Sequence, residues 1–99
     1  MEEKNKFHSW LTDNTKLSES TKVKYTAAIN TISEGLKQYN LIESNLYYIK
    51  SSTELIAAQK QYFKINEFSN KDEKGNRMYS NAFKYFIEYR RDLEGNIKS

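Results

Sequence analysis

The sequence contains no cysteine and no proline, only three glycines, one histidine and one tryptophan. Without cysteine there are no disulfides and no thiolate-ligated zinc. His8 alone cannot assemble a metal site or a serine–histidine pair. It lies just off the apolar stripe of its segment, where a surface or partly buried histidine is the simpler reading. No window approaches the roughly 20 apolar residues of a membrane span. The start Met1-Glu2-Glu3-Lys4 lacks the apolar stretch of a secretion signal, so a cytoplasmic protein with no membrane partner is expected. Internal repeats, low-complexity runs and linker-like segments are also missing, which points to one domain over residues 1–99.

Aromatic side chains are abundant: eight Tyr, five Phe and the single Trp supply much of the apolar area. A chain of 99 residues buries roughly 60–65% of the surface its unfolded form exposes, enough for one core. Buried tyrosine hydroxyls need hydrogen-bond partners, so some of the tyrosines belong at the surface. Sixteen basic and thirteen acidic residues give a net charge of +3, with a pI near 9.0. The charges are interspersed, which permits nucleic-acid binding without requiring it. Thirteen of the basic residues are Lys, a bias that an AT-rich genome produces by itself, but all three Arg lie between positions 77 and 91.

Apolar periodicity predicts helices throughout. Phe7, Trp10 and Leu11 form the stripe of a first helix over residues 3–13. After the polar break at residues 13–16, Ser18 is placed to cap a second helix over 19–38, with Glu19 favourable against its dipole. Tyr25, Ala28, Ile29, Ile32, Leu36 and Tyr39 form its face. Gly35 weakens that helix by about 1 kcal/mol relative to Ala, so a close packing partner is expected there. Residues 40–45 read as a connector. Leu46-Tyr47-Tyr48-Ile49 has strand-like composition but no second strand to pair with, so it is expected as a short apolar plug.

Ser51 with Glu54 is a capping-box pattern opening a third helix over 52–64, with Leu55, Ile56, Ala58 or Gln59, Tyr62 and Phe63 inward. Ile65 and Phe68 continue the apolar contacts, and residues 66–76 are expected as the main loop, ending in a Gly-Asn turn signal. In the last helix Tyr79, Ala82, Phe83, Phe86 and Leu93 share one side. Lys84, Tyr85, Glu88, Tyr89, Arg91 and Asp92 are then left facing outward or sideways. The expected fold is an all-α, compact single-domain bundle of four or five helices.

Two resemblances accompany this pattern. Phe7, Trp10-Leu11, Leu17-Ser18, Thr21, Tyr25 and Ile29 resemble the opening of the core-binding domain of phage-integrase-type tyrosine recombinases, over about a third of the chain. That likeness implies a SAM-like helical bundle lying against duplex DNA. A broader likeness adds Leu46-Tyr47, Leu55, Tyr62, Phe68, Asp72, the run Gly75-Asn76-Arg77-Met78-Tyr79-Ser80, and Ala82, Phe83 and Tyr85. It is similar to a helical domain at the N-termini of some bacterial restriction proteins, including modification-dependent ones, and implies a role in DNA engagement or assembly. The nuclease or NTPase domain that follows in those proteins is not part of this sequence.

The candidate binding surface runs from Lys71 and Lys74 through Arg77, Lys84, Arg90 and Arg91, with Tyr85 and Tyr89 between. Cations neutralise phosphates and release counterions, Asn76 or Ser80 near a helix start can donate to a phosphate oxygen, and an exposed tyrosine can stack on a base. Lys22 and Lys24 form a secondary patch, although Glu19 is spaced to pair with Lys22. Asp72-Glu73 and Glu88 with Asp92 each have basic neighbours and read as surface ion pairs, not as a nuclease centre. No Gly-rich phosphate loop is present, and the aromatic positions read as core, so no cofactor and no enzymatic activity are expected. The expected function is a non-catalytic module of a restriction or mobile-element system that binds duplex DNA. The alternative is a protein-docking module, or a small phage or mobile-element inhibitor, acting on a restriction, recombination or defence complex.

Overall fold

Helix limits are set first by local caps. Ser18 is extended (φ −66°, ψ 159°) and its hydroxyl accepts the Thr21 N–H at 3.3 Å, which opens a helix over Glu19–Gln38. Ser51 accepts the Glu54 N–H at 3.3 Å and opens the helix Ser52–Lys64. Each cap satisfies one of the four donors that a helix start leaves without an internal partner. The computed structural model describes residues 2–98, with side chains through residue 95. In chain order it contains α1 (Glu2–Asn14), α2 (Glu19–Gln38), a 3₁₀ turn (Leu46–Tyr48), α3 (Ser52–Lys64), α4 (Asn66–Lys74) and α5 (Met78–Lys98). Among the described residues there is no strand, so the all-α bundle is the observed architecture.

The apolar stripes meet around α5, which packs most extensively against α2 and also touches α1, α3 and α4. Phe7, Leu11, Ile29, Ile32, Leu36, Leu55, Phe83 and Phe86 are fully buried, and Tyr62 almost so. A radius of gyration of 13.0 Å agrees with the about 13 Å of a compact 100-residue chain. Strand-like Leu46-Tyr47 is indeed a plug. Leu46 N–H donates to the buried Ser33 hydroxyl (3.0 Å), and Tyr47 hydroxyl donates to the Thr26 carbonyl (2.6 Å), so the chain ends up inside without orphaned polar groups.

Gly35 has the close neighbour its sequence context called for. A Cβ there would lie 2.8 Å from Phe68 Cζ and 3.2 Å from Tyr62 Cε1. Those two rings stack at 4.4 Å with 5° between their planes, so neither can retreat without losing the other. Gly35→Ala gains about 1 kcal/mol of helix propensity but overpacks this contact at about 1–3 kcal/mol. The expected outcome is a net loss of about 1 kcal/mol, read as a lower urea midpoint at unchanged m-value. A stabilised alanine variant would show that the rings yield.

Three expectations are corrected. Residues 66–76 are not a loop, because Asn66–Lys74 form α4. No side chain caps its start, and nine residues do not hold a helix alone. It is kept by Phe68 packing on Tyr62 and Tyr39, and by the Ser69 hydroxyl donating to the Phe63 carbonyl. Leu93, expected on the buried stripe, is exposed. Trp10 is half-buried and not in the core, its indole N–H donating to Asp92 at 2.8 Å.

Candidate nucleic-acid interface

The α4–α5 connection carries the first part of the candidate surface. It is a tight turn in which Asn76 and Arg77 adopt positive φ (57° and 61°), whereas Gly75 does not. Arg77 N–H closes the turn on the Asp72 carbonyl at 2.7 Å. Holding a branched-chain-free but Cβ-bearing arginine in this region costs about 1–2 kcal/mol. Arg77 stays exposed, as do Lys71 and Lys74 on α4, and Lys71 Nζ lies 5.1 Å from the Tyr79 ring centre.

The Ser80 N–H at the start of α5 is not free to meet a phosphate. Asp72 is buried (4% exposed) and its Oδ1 accepts the Ser80 N–H at 2.8 Å, so a carboxylate already occupies the positive end of the helix. Ser80 hydroxyl donates to the Arg77 carbonyl at 3.2 Å. Asp72 is therefore an internal cap, not the surface ion pair its basic neighbours suggested. Nothing in the sequence marks it, because the capping carboxylate and the N–H it accepts lie eight residues apart, on opposite sides of the turn.

Along α5 the candidates divide. Lys84 and Arg91 are exposed and both line a groove of about 350 Å³ against α3, with Ile56, Gln59, Ile87 and Glu88. Seven residues of helix separate them by about 10 Å along the axis. Tyr85 is half-buried, with one ring face stacked on Tyr25 (5.8 Å, 29°). Tyr89 and Arg90 are corrections, at 4% and 3% exposed. Tyr89 packs on Phe7, Trp10 and Phe86, and burial raises its hydroxyl pKa. Arg90 donates through Nη2 to the Tyr47 carbonyl (3.0 Å), with its guanidinium 5.1 and 5.4 Å from the Tyr89 and Phe86 ring centres. At that burial neither presents an open surface to the backbone or bases of a duplex.

The secondary patch also loses a member. Lys22 is buried, donating to Thr12 Oγ1 at 2.9 Å and pairing with Glu19 at 3.3 Å, so only Lys24 remains exposed. Glu19 also contacts His8 Nε2 at 2.8 Å, and its carboxyl pKa is lowered by the hydrogen bonds from His8 and Lys22. The structure thus leaves Lys71, Lys74, Arg77, Lys84 and Arg91 as the exposed cations of the α4–α5 side. None forms an ion pair among the described residues, whereas Lys6, Lys22, Lys37 and Lys50 all do.

Among the described residues no group of three or more His, Asp or Glu is placed to hold a metal ion, and no helix is long and apolar enough to cross a membrane. Comparison of the chain with protein-family models, with curated proteins and with solved structures finds no match.

Proposed function

We propose that this chain is a non-catalytic helical module that binds duplex DNA weakly through its phosphates, using Lys71, Lys74, Arg77, Lys84 and Arg91. The observation that carries the reading is that these five cations are exposed on α4, α5 and the turn between them with no carboxylate partner among the described residues. Unpaired surface cations gain the full counterion-release benefit when they meet phosphate. Base stacking is not part of the proposal, since Tyr89 is buried and Tyr85 is stacked on Tyr25. The restriction or mobile-element setting rests on the sequence resemblance alone.

Fluorescence anisotropy with a labelled duplex tests it. Affinity should be on the order of micromolar or weaker near physiological salt and fall steeply as salt rises. The double change Lys84→Ala, Arg91→Ala should weaken all sequences alike and flatten the slope of log K against log salt by up to about two units. Absence of binding at about 20 mM salt and high micromolar protein would overturn the reading.

The groove between α3 and α5 supports a second reading. Ile56 and Ile87 form an apolar strip between Gln59, Lys84, Glu88 and Arg91, the mixture of apolar centre and charged rim found in protein interfaces. On this reading the module docks on a protein of a nucleic-acid-processing complex, and a partner retained after nuclease treatment would favour it.

A further inference from the structure

Arg90 is the one buried arginine, and its environment is incompletely satisfied. Nη2 donates to the Tyr47 carbonyl, but Nε is buried without any hydrogen-bond partner, and no carboxylate pairs with the guanidinium among the described residues. An arginine stays charged under all ordinary conditions, so a cation has been taken out of water with one carbonyl and two ring faces in return.

The same residue forms part of the wall of a cleft of about 540 Å³ between α1 and α5, within the range of small-molecule sites. Trp10, Tyr89 and Leu93 give the cleft an apolar side. The other charged groups lining it are Glu2, Glu3, Lys6, Asp13 and Lys50. They largely compensate one another: Glu3 pairs with Lys50 at 3.2 Å and Lys6 at 3.5 Å, and Lys6 also approaches Glu2 at 3.7 Å. Arg90 is therefore the cation of this cleft without an ion-pair partner among the described residues, and Asp13 is the carboxylate without one.

We infer that the α1–α5 cleft is a binding site for a small carboxylate with an aromatic or aliphatic body, the carboxylate pairing with Arg90 and the body lying against Trp10, Tyr89 and Leu93. The guanidinium fork matches a carboxylate in charge and plane, and the two rings beneath it hold that plane in place. The site is separate from the α4–α5 cations and does not depend on them.

The test uses the wild-type protein and 3-phenylpropionate. Trp10 is the sole tryptophan, so its emission reports on this cleft alone. The expected result is a saturable change with a dissociation constant on the order of a millimolar, as befits about eleven non-hydrogen atoms. The uncharged 3-phenyl-1-propanol should bind about tenfold or more weakly, because it lacks the charge-assisted hydrogen bond. The Arg90 Nε–H resonance should move on titration with the acid and not with the alcohol. Arg90→Gln should abolish the emission change, and Leu93→Ala, an exposed truncation that leaves the core alone, should weaken it. Should Arg90→Gln fail to fold, the acid–alcohol comparison and the Nε resonance decide the matter on the native chain. No saturable change up to about 50 mM, equal binding of acid and alcohol, or a static Nε resonance would each overturn the inference.

Discussion

Truncating Phe86 to alanine should remove about 3–5 kcal/mol of stability, the range for deleting a fully buried phenylalanine. Phe86 has no solvent exposure and lies where α5 meets α1 and the 3₁₀ turn. Its ring is 5.1 Å from Phe7 on α1 and 5.2 Å from Tyr47 in the 3₁₀ turn, both edge to face, and 5.8 Å from Tyr89. The loss has two parts. One is the transfer free energy and the cavity left behind, which this junction of rings cannot easily collapse to fill. The other is the ring face under the Arg90 guanidinium, 5.4 Å away, whose removal leaves a buried cation with one support fewer. For a domain near 100 residues the change corresponds to a drop in melting temperature on the order of 20 °C. Urea unfolding followed by Trp10 emission and by far-ultraviolet dichroism measures it. Val23→Ala, at an exposed position of α2, is the control and should stay within about 0.5 kcal/mol. A loss below about 1 kcal/mol at Phe86 would mean that α5 does not pack as described.

The second large effect is unfolding in alkali. Burial pushes the Tyr47 and Tyr62 hydroxyls well above the ordinary tyrosine value, because the phenolate cannot be solvated there. Tyr89 and Tyr25 shift the same way, again chiefly through burial. The sign follows from the proton count. The folded state keeps these protons to higher pH than the unfolded state, whose tyrosines titrate near about 10. Their contribution is therefore fully present below pH about 10 and is lost as the pH rises toward the folded values. Each such tyrosine adds up to about 1.4 kcal/mol of lost stability per pH unit, so Tyr47 and Tyr62 together add about 2.8.

Against a typical stability of about 5–15 kcal/mol, that slope should bring cooperative unfolding within a few pH units above about 10. Dichroism and phenolate absorbance, followed together, should show a late group of tyrosines ionising only as the helices melt. Tyr62→Phe should raise the midpoint by reducing the slope. Tyr47→Phe should do so less cleanly, since it also deletes the 2.6 Å hydrogen bond to Thr26. If every tyrosine ionises near pH about 10 while the helical signal persists, the buried assignment is wrong.

What was legible in the sequence was what short-range chemistry decides. The limits of α2 and α3 agree with the caps at Ser18 and Ser51, because a cap and its donor lie within four residues. The inward positions of those helices, and Phe83 and Phe86 on α5, follow from a period that any helix imposes, except that Tyr39, expected on the α2 face, lies past the helix end and is exposed. Gly35 pointed to a close neighbour because glycine inside a helix is costly unless something uses the missing Cβ.

Only the tertiary structure decided the rest. The helix α4 has no cap and a polar sequence, and exists because Phe68 finds Tyr62 and Gly35 from other segments. On α5 a polarity count sends Tyr89 and Arg90 outward, but this helix is enclosed by α1, α2 and α3, so more than one stripe of it is buried. Tyrosine and arginine enter that enclosure because most of each side chain is apolar or planar, and Arg90 meets one carbonyl and two ring faces while its Nε is left without a partner. The candidate surface lost Tyr89 and Arg90 for this reason, and the secondary patch lost Lys22 on α2 to Thr12 of α1 and to Glu19. Composition states how many cations a chain has, but burial and pairing between distant helices decide which of them remain free to meet a partner.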